Sequence, residues 1–353
     1  MGLSTPITAQ TLAEQGHRNK QVQYLKLFRA DTAVKDLEAV RKCLTADYPD
    51  AKKKWSVLGQ SYGGFVATTY LSQAPQGLRE VFILGGLPPI SQKDPSEVCK
   101  RLQCKIRQRN EKYYEKYPED IEAVRRIAQY LDNHDSPVML PDGGHLSPAR
   151  FFSLGLSLGF HGGLDAVHNN VLRMINDLDT FGFLTKPTLC KIQSAGSFED
   201  HPLYAIMHES IYCQSGGRSG WSANTLVSDE QGFNQLRNTD GSPLSFAGEM
   251  IFSEYFPAYP ELTALHQLAE DVANVDDWCD LYDTDQLRRN QVPVYAATYL
   301  DDMYVDFDFA QETARTINGA KSFVTNAMYH DALRSCTEEV FKALFALRDD
   351  TID

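Results

Sequence analysis

The stretch WSVLGQSYGGF, residues 55–65, runs from an apolar segment into a serine set between glycines. Its centre, Gly59-Gln60-Ser61-Tyr62-Gly63, matches G-x-S-x-G. In that pattern small residues let the chain turn sharply from a strand into a helix and lift the serine hydroxyl above a sheet. Alone it carries little weight, since at ordinary glycine and serine frequencies about one chain in ten of this length contains it by chance. Its surroundings decide the matter. WSVLG (55–59) reads as a short strand, and FVATTYLSQAP (65–75) as a helix that stops at Pro75. REVFILGG (79–86) is an apolar run closed by two glycines, which suits a strand buried on both faces of a parallel sheet. The result is a β-α-β unit with Ser61 at its first turn.

Outward from this unit, DTAVKDLEAVRKCLTA (31–46) places Val34, Leu37, Val40 and Leu44 on one face at helical spacing, with Asp31 as the cap. From 91 to 289 the character changes to charged helical stretches such as SEVCKRLQCKIRQRNEKYYEKY (96–117), and GGRSGWS (216–222) is a loop within this insertion. The strand pattern returns at VPVYAATYL (292–300) and KSFVTNAMYH (321–330), with helical patterns at DFAQETARTI (308–317) and TEEVFKALFAL (337–347). The predicted fold class is therefore α/β, a mainly parallel sheet flanked by helices. Its discontinuous core spans 1–90 and 290–353, and a mainly helical cap occupies 91–289.

Composition narrows the function. The chain has 353 residues, 42% hydrophobic, enough to fill a sizeable core. Its 47 acidic residues exceed its 34 basic ones, for a formal charge of -13, and no basic run follows a phosphate backbone, so nucleic acid is excluded as a partner. No apolar segment approaches the roughly 20 residues a membrane span needs, and MGLSTPITAQTLAEQGHRNKQVQYL lacks a signal peptide's apolar centre. A cytoplasmic location with no membrane partner is the expectation. The seven cysteines (43, 99, 104, 190, 213, 279 and 336) are scattered and never form C-x-x-C, which predicts reduced thiols and no metal site. No cofactor is called for, and nothing in the sequence speaks to oligomeric state.

A serine hydroxyl needs an imidazole to take its proton and a carboxylate to fix that imidazole's tautomer. Among nine histidines, His330 sits just after the last strand pattern, where a loop at the carboxyl edge of the sheet reaches back to Ser61. The carboxylate is expected after the preceding strand. There YLDDMYVDFD offers Asp301, Asp302, Asp306 and Asp308; Asp302 is favoured, with Asp301 left open.

With these residues in place the chain resembles the proline iminopeptidases (prolyl aminopeptidases), serine peptidases of the α/β-hydrolase fold with a helical cap, over nearly its whole length. GLSTPIT (2–8) resembles the end of that family's D-x-R-G-x-G-x-S-x-P loop, FRADTAVKDLEAVRKCL (28–44) the helix before the nucleophile, and GQSYGGF (59–65) its elbow. LPDGGHLSPARFFSLGL (140–156), LYAIMHESIY (203–212) and FAGEMIF (246–252) resemble segments of the cap in the longer class. The resemblance implies a substrate class, peptides with a free N-terminal proline. It also implies that acidic cap residues, here Glu209 and Glu249, hold the substrate's free amine, since an ammonium entering a partly dry pocket needs carboxylates to offset its lost hydration. Tyr204, Tyr212 and Phe252 are candidate walls for the pyrrolidine ring.

The front of the chain departs from the family, in which an H-G-G-P-G type loop lies upstream of the D-x-R-G loop. That loop supplies one of the two N–H groups that stabilise the tetrahedral oxyanion; the other is the N–H of Tyr62. The expectation is an N-terminally incomplete form of the family, lacking early strands and half of the oxyanion hole. Two other functions fit the same residues: a small-acyl esterase, because triad and cap do not dictate the acyl group, and an inactive remnant that only binds a partner.

Overall fold

Every residue of Val294–Tyr299 is buried, as expected of a strand covered on both faces. It is the third of four parallel strands, β1 (Trp55–Gln60), β2 (Leu78–Leu84), β3 (Val294–Tyr299) and β4 (Ala320–Thr325), which lie in that order in the sheet. The computed structural model describes residues 4–133, 137–230 and 241–350. The outermost positions of the expected core, 1–3 and 351–353, and residues 134–136 and 231–240 of the expected cap lie outside the described residues. β2 is exposed at Arg79 and fully buried only from Val81, so the expected two-sided burial holds for its second half.

The register pairs Gln60 with Leu84, Leu84 with Ala297, and Tyr299 with Thr325. The carboxyl ends of all four strands therefore come to one edge, where ligands bind in open α/β sheets. Side chains alternate between the two faces. Val81, Ile83, Val294 and Ala296 pack with Ala67, Tyr70 and Leu71, whereas Phe82, Leu84, Tyr295 and Ala297 pack with Val340 and Leu344. These partners belong to α2 (Tyr62–Gln73) and α4 (Thr337–Asp349), and Val34 of α1 (Ala30–Leu44) and Ala310 of α3 (Phe307–Thr316) join the first group. Each fully buried large aliphatic side chain contributes about 1.5–3 kcal/mol relative to exposure, so the two layers are the main source of the sheet's stability.

Two details of α1 differ from the expectation. Its N-cap residue is Arg29, with no side-chain cap, and Asp31 lies in the first turn. Its buried stripe is Ala30, Val34, Glu38 and Arg41, while Val40 and Leu44 are 48% and 67% exposed. A bidentate ion pair explains the shift. Arg41 donates from Nε and Nη2 to the two Glu38 oxygens, both at 2.7 Å, and from Nη1 to the carbonyl of Lys53 at 2.7 Å. Glu38 also accepts from the Tyr70 hydroxyl. The face turned inward thus carries a satisfied charge pair rather than the two apolar residues.

Contacts divide the chain into two compact units. The sheet unit comprises Gln23–Asp94, Ile211–Arg218 and Asp276–Asp353. The second comprises Met1–Val22, Pro95–Ser210 and Ser219–Val275. Residues 4–22, expected in the core, fall with the second unit, where Arg18 pairs with Asp271 at 3.0 Å. Residues 91–94, 211–218 and 276–289, expected in the cap, fall with the sheet unit, where Gln214 donates to Gln92 O at 2.6 Å and accepts from Leu281 N at 3.1 Å.

The second unit is mainly helical in its described residues. Ser96–Lys116, Asp120–Asp132 and Gly163–Phe181 are its longest helices, and Tyr113, Phe151, Phe152 and Phe246 form a buried aromatic cluster among them. Asn110, inside the first of these helices, bonds both the N–H and the carbonyl of Phe246, satisfying buried backbone that lies outside any helix.

Candidate active site

Ser61 follows β1, Asp302 follows β3 and His330 follows β4, so the parallel order of the strands delivers all three to the carboxyl edge. Ser61 has φ 80° and ψ −117°, a conformation that costs an ordinary residue about 1–3 kcal/mol. Hydrogen bonds around it offset that strain. Its N–H donates to Leu84 O at 3.2 Å, and its carbonyl accepts from Gly64 N at 2.8 Å and Phe65 N at 3.3 Å. A Cβ on Gly59 would lie 2.2 Å from the carbonyl oxygen of Gly63, so the sharp turn requires glycine there.

His330 Nε2 is 2.9 Å from Ser61 Oγ, and its Nδ1 is 2.8 Å from Asp302 Oδ2. The other Asp302 oxygen accepts from the N–H groups of Tyr304 at 2.8 Å and Val305 at 3.0 Å. Asp302 and His330 are 2% and 6% exposed. A buried carboxylate held at both oxygens takes the Nδ1–H of the imidazole, which leaves the Nε2 lone pair to accept the serine proton. Asp306 is otherwise engaged, accepting from Phe309 N at the start of α3, and Asp308 lies in that helix's first turn. The carboxylate that faces the imidazole is that of Asp302.

Two neighbours of the triad escaped the sequence reading. Gln60 Nε2 donates to the backbone carbonyl of His330 at 3.0 Å, tying the residue before the serine to the histidine loop. Gly85 has φ +50°, and a Cβ there would come within 2.9 Å of the Tyr299 ring and 3.2 Å of His330 Nδ1. The glycine pair closing REVFILGG was the available signal for it. At Tyr62 the backbone N–H occupies the first position of α2, where no helical carbonyl reaches it.

Glu209 and Glu249 both lie in the helical unit. Glu209 is 5% exposed, and its two oxygens accept from Ser222 N and Ala223 N, each at 2.9 Å. Burial pushes its carboxyl up to about 7, against the lowering effect of those N–H groups. It therefore anchors the start of the helix Ser222–Glu230. Glu249 is half-buried and accepts from the Tyr204 hydroxyl at 2.8 Å, while its backbone carbonyl lies 3.0 Å from His208 Nε2. Phe252 packs edge-on against Tyr255 at 5.5 Å. Tyr212 belongs to the sheet unit, its ring 5.7 Å from that of Phe65.

Among the described residues one group, Glu119, Asp120 and His168, brings three donor atoms within 4.8 Å of one another. Asp120 already accepts from Tyr113 and lies 2.9 Å from His168 Nδ1, so its carboxylate serves the packing of that unit. Among the described residues no helix is long and apolar enough to cross a membrane.

No family model matches the chain. Two curated relatives do. The proline iminopeptidase aneH of Aspergillus aculeatus is 46% identical over 352 residues, covering 100% of this chain and 77% of the relative. A proline iminopeptidase of Aeromonas sobria is 36% identical over 349 residues, covering 99% and 78%. Among solved structures, an alpha/beta hydrolase fold protein from Nakamurella multipartita aligns with a TM-score of 0.35 at 14% identity, covering 91% of this chain and 76% of the other. Identity at this level, in alignments that span essentially the whole chain, fixes the family: this chain belongs to the proline iminopeptidases.

Proposed function

We propose that the protein is a prolyl aminopeptidase, hydrolysing the bond after an N-terminal proline through an acyl-enzyme. The hydrogen-bonded line from Ser61, on its strand-to-helix turn, through His330 to Asp302, in a chain 46% identical to a proline iminopeptidase, carries this reading. Ser61 Oγ attacks the prolyl carbonyl as His330 Nε2 takes its proton. The imidazolium, held by Asp302, then returns the proton to the leaving amine, and water attacks the acyl-enzyme by the same route in reverse. The Tyr62 N–H donates to the oxyanion. Glu209 and Glu249 are assigned to the substrate's ammonium. Glu249 is better suited, because both Glu209 oxygens already accept backbone N–H groups. The family relationship disfavours the esterase and the inactive-remnant readings. A cytoplasmic location belongs to this reading; the seven cysteines are all free thiols, as a reducing compartment maintains them, and cell fractionation tests it.

Treatment with an organophosphonate tests the chemistry. Mass spectrometry should find the adduct on Ser61 and none in Ser61→Ala, with labelling slowed in His330→Ala. A folded protein that acquires no adduct would overturn the assignment.

A further inference from the structure

Arg29 is 2% exposed and sits at the N-cap of α1. A cation is unfavourable there, because a helix N-terminus carries partial positive charge and its free N–H groups call for an acceptor. The side chain is therefore not explained by the helix it begins. Its guanidinium reaches away to two carbonyls, donating from Nη1 to Cys213 O at 2.7 Å and from Nη2 to Cys279 O at 3.0 Å. It also lies 4.6 Å from the Trp278 ring centre, and its Nε is 3.7 Å from Asp31 Oδ1.

Cys213 and Cys279 belong to the segments Ile211–Arg218 and Asp276–Asp353, the two places where the chain returns to the sheet unit. A desolvated cation demands partners, and here they are backbone atoms on both returning segments. One side chain thus joins the start of α1 to both returns.

The Tyr62 side chain meets the same place. Its hydroxyl is buried without a well-formed hydrogen bond and feels the Arg29 guanidinium, the Asp31 carboxylate and the Ala30 backbone; burial pushes its pKa up to about 12. The Tyr62 ring lies 6.0 Å from that of Phe65, which in turn packs on Tyr212, one residue before Cys213. The Tyr62 ring is thus linked, through Phe65 and Tyr212, to the segment whose Cys213 carbonyl Arg29 holds.

We infer that Arg29 is a positioning residue for the reaction: by clasping Cys213 O and Cys279 O to the start of α1 it fixes the seat of the Tyr62 side chain, and with it the Tyr62 N–H aimed at the oxyanion. The inference rests on Ser61 being the nucleophile. Displacement of a reacting or stabilising group by about 1 Å lowers rate by about 100-fold and falls on the chemical step rather than on binding.

Arg29→Met, Arg29→Lys and Tyr62→Ala are compared with the unaltered chain by steady-state kinetics on a prolyl arylamide and by amide hydrogen exchange. Arg29→Met and Tyr62→Ala should each lower kcat about 10- to 100-fold with KM changed less than about 3-fold. Arg29→Lys, which still serves one carbonyl, should fall between Arg29→Met and the unaltered protein. In Arg29→Met, exchange should quicken in peptides covering 59–66 while those covering β3 keep their protection, a pattern that general destabilisation does not give. Exchange needs no turnover, so it decides the matter even if the unaltered protein fails on prolyl arylamide, a result that would count against the proposed substrate instead. Unchanged kcat in a folded Arg29→Met, full activity in Tyr62→Ala, or equal loss of protection in β3 would overturn the proposal. If Arg29→Met does not fold, Arg29→Lys and Tyr62→Ala carry the same readouts.

Discussion

At the scale of single residues, the two adjacent aspartates are not equivalent, because it is Asp302 that faces the imidazole. Asp302 faces His330 at 2.8 Å, so Asp302→Asn, which presents the imidazole with the wrong partner, should lower kcat by about 10⁴, whereas Asp301→Asn should change it less than about 3-fold. Steady-state kinetics on the two variants separates them. Gly59→Ala drives a methyl to 2.2 Å from Gly63 O, and chemical denaturation should show a loss of about 1–3 kcal/mol together with lost activity. Glu209 gives a signature in pH. Its folded pKa of about 7 lies above the ordinary value of 4.5, so the fold favours the protonated carboxyl. That contribution to stability is present below about pH 4.5 and disappears as the pH rises through about 7. The stability of the unaltered protein relative to Glu209→Gln should therefore decline by about 3 kcal/mol between pH 4.5 and 8, measured by denaturation across that range. Ser61 could be picked out by the glycines at the end of β1, and His330 by its place in the loop after β4. Gln60 and Gly85 were not, because what singles them out is proximity to His330, which is distant in sequence.

At the scale of elements, β1 to β3 and α1 to α4 were readable to within a few residues, since apolar runs of β2 and β3 and the amphipathic pattern of α3 reflect burial directly. The last strand was read to 330 but ends at Thr325, and the short helices Thr284–Arg288 and Ala332–Ser335 were not read. The helix α1 was readable as a helix but not in its orientation. A count of apolar positions favours Val40 and Leu44, while the buried stripe includes Glu38 and Arg41, whose burial depends on each other and on Tyr70. Removing one partner leaves a buried charge alone, so Arg41→Met should destabilise by about 3 kcal/mol, and the double variant Glu38→Gln/Arg41→Met by less than the sum of the singles. The Arg41 guanidinium holds the Glu38 carboxyl below its usual range, so the pair's stabilisation is present above that range and lost as the pH falls through the lowered value. Acid denaturation of the unaltered protein and Arg41→Met should accordingly converge at low pH.

At the scale of the whole molecule, the sequence announced an α/β sheet interrupted by a helical insertion, and it showed the reason: strand patterns stop after residue 86 and resume at 292. It did not show that Ile211–Arg218, in the middle of that insertion, groups with the sheet unit. The bonds that hold this segment run from Gln214 and from the buried Arg29, polar links that leave no hydrophobic period to read. Charge was informative for exclusion only: a net -13 argues against a polyanion but selects no peptide. The proposed function therefore rests on two expectations, chemistry at Ser61 and recognition of a free imino terminus. The ratio of kcat/KM for an unblocked prolyl arylamide to that for its N-acylated counterpart measures both together. A ratio above about 100 is expected, with turnover of the unblocked substrate abolished in Ser61→Ala. Equal turnover of the two substrates, or release of proline that survives Ser61→Ala, would contradict it.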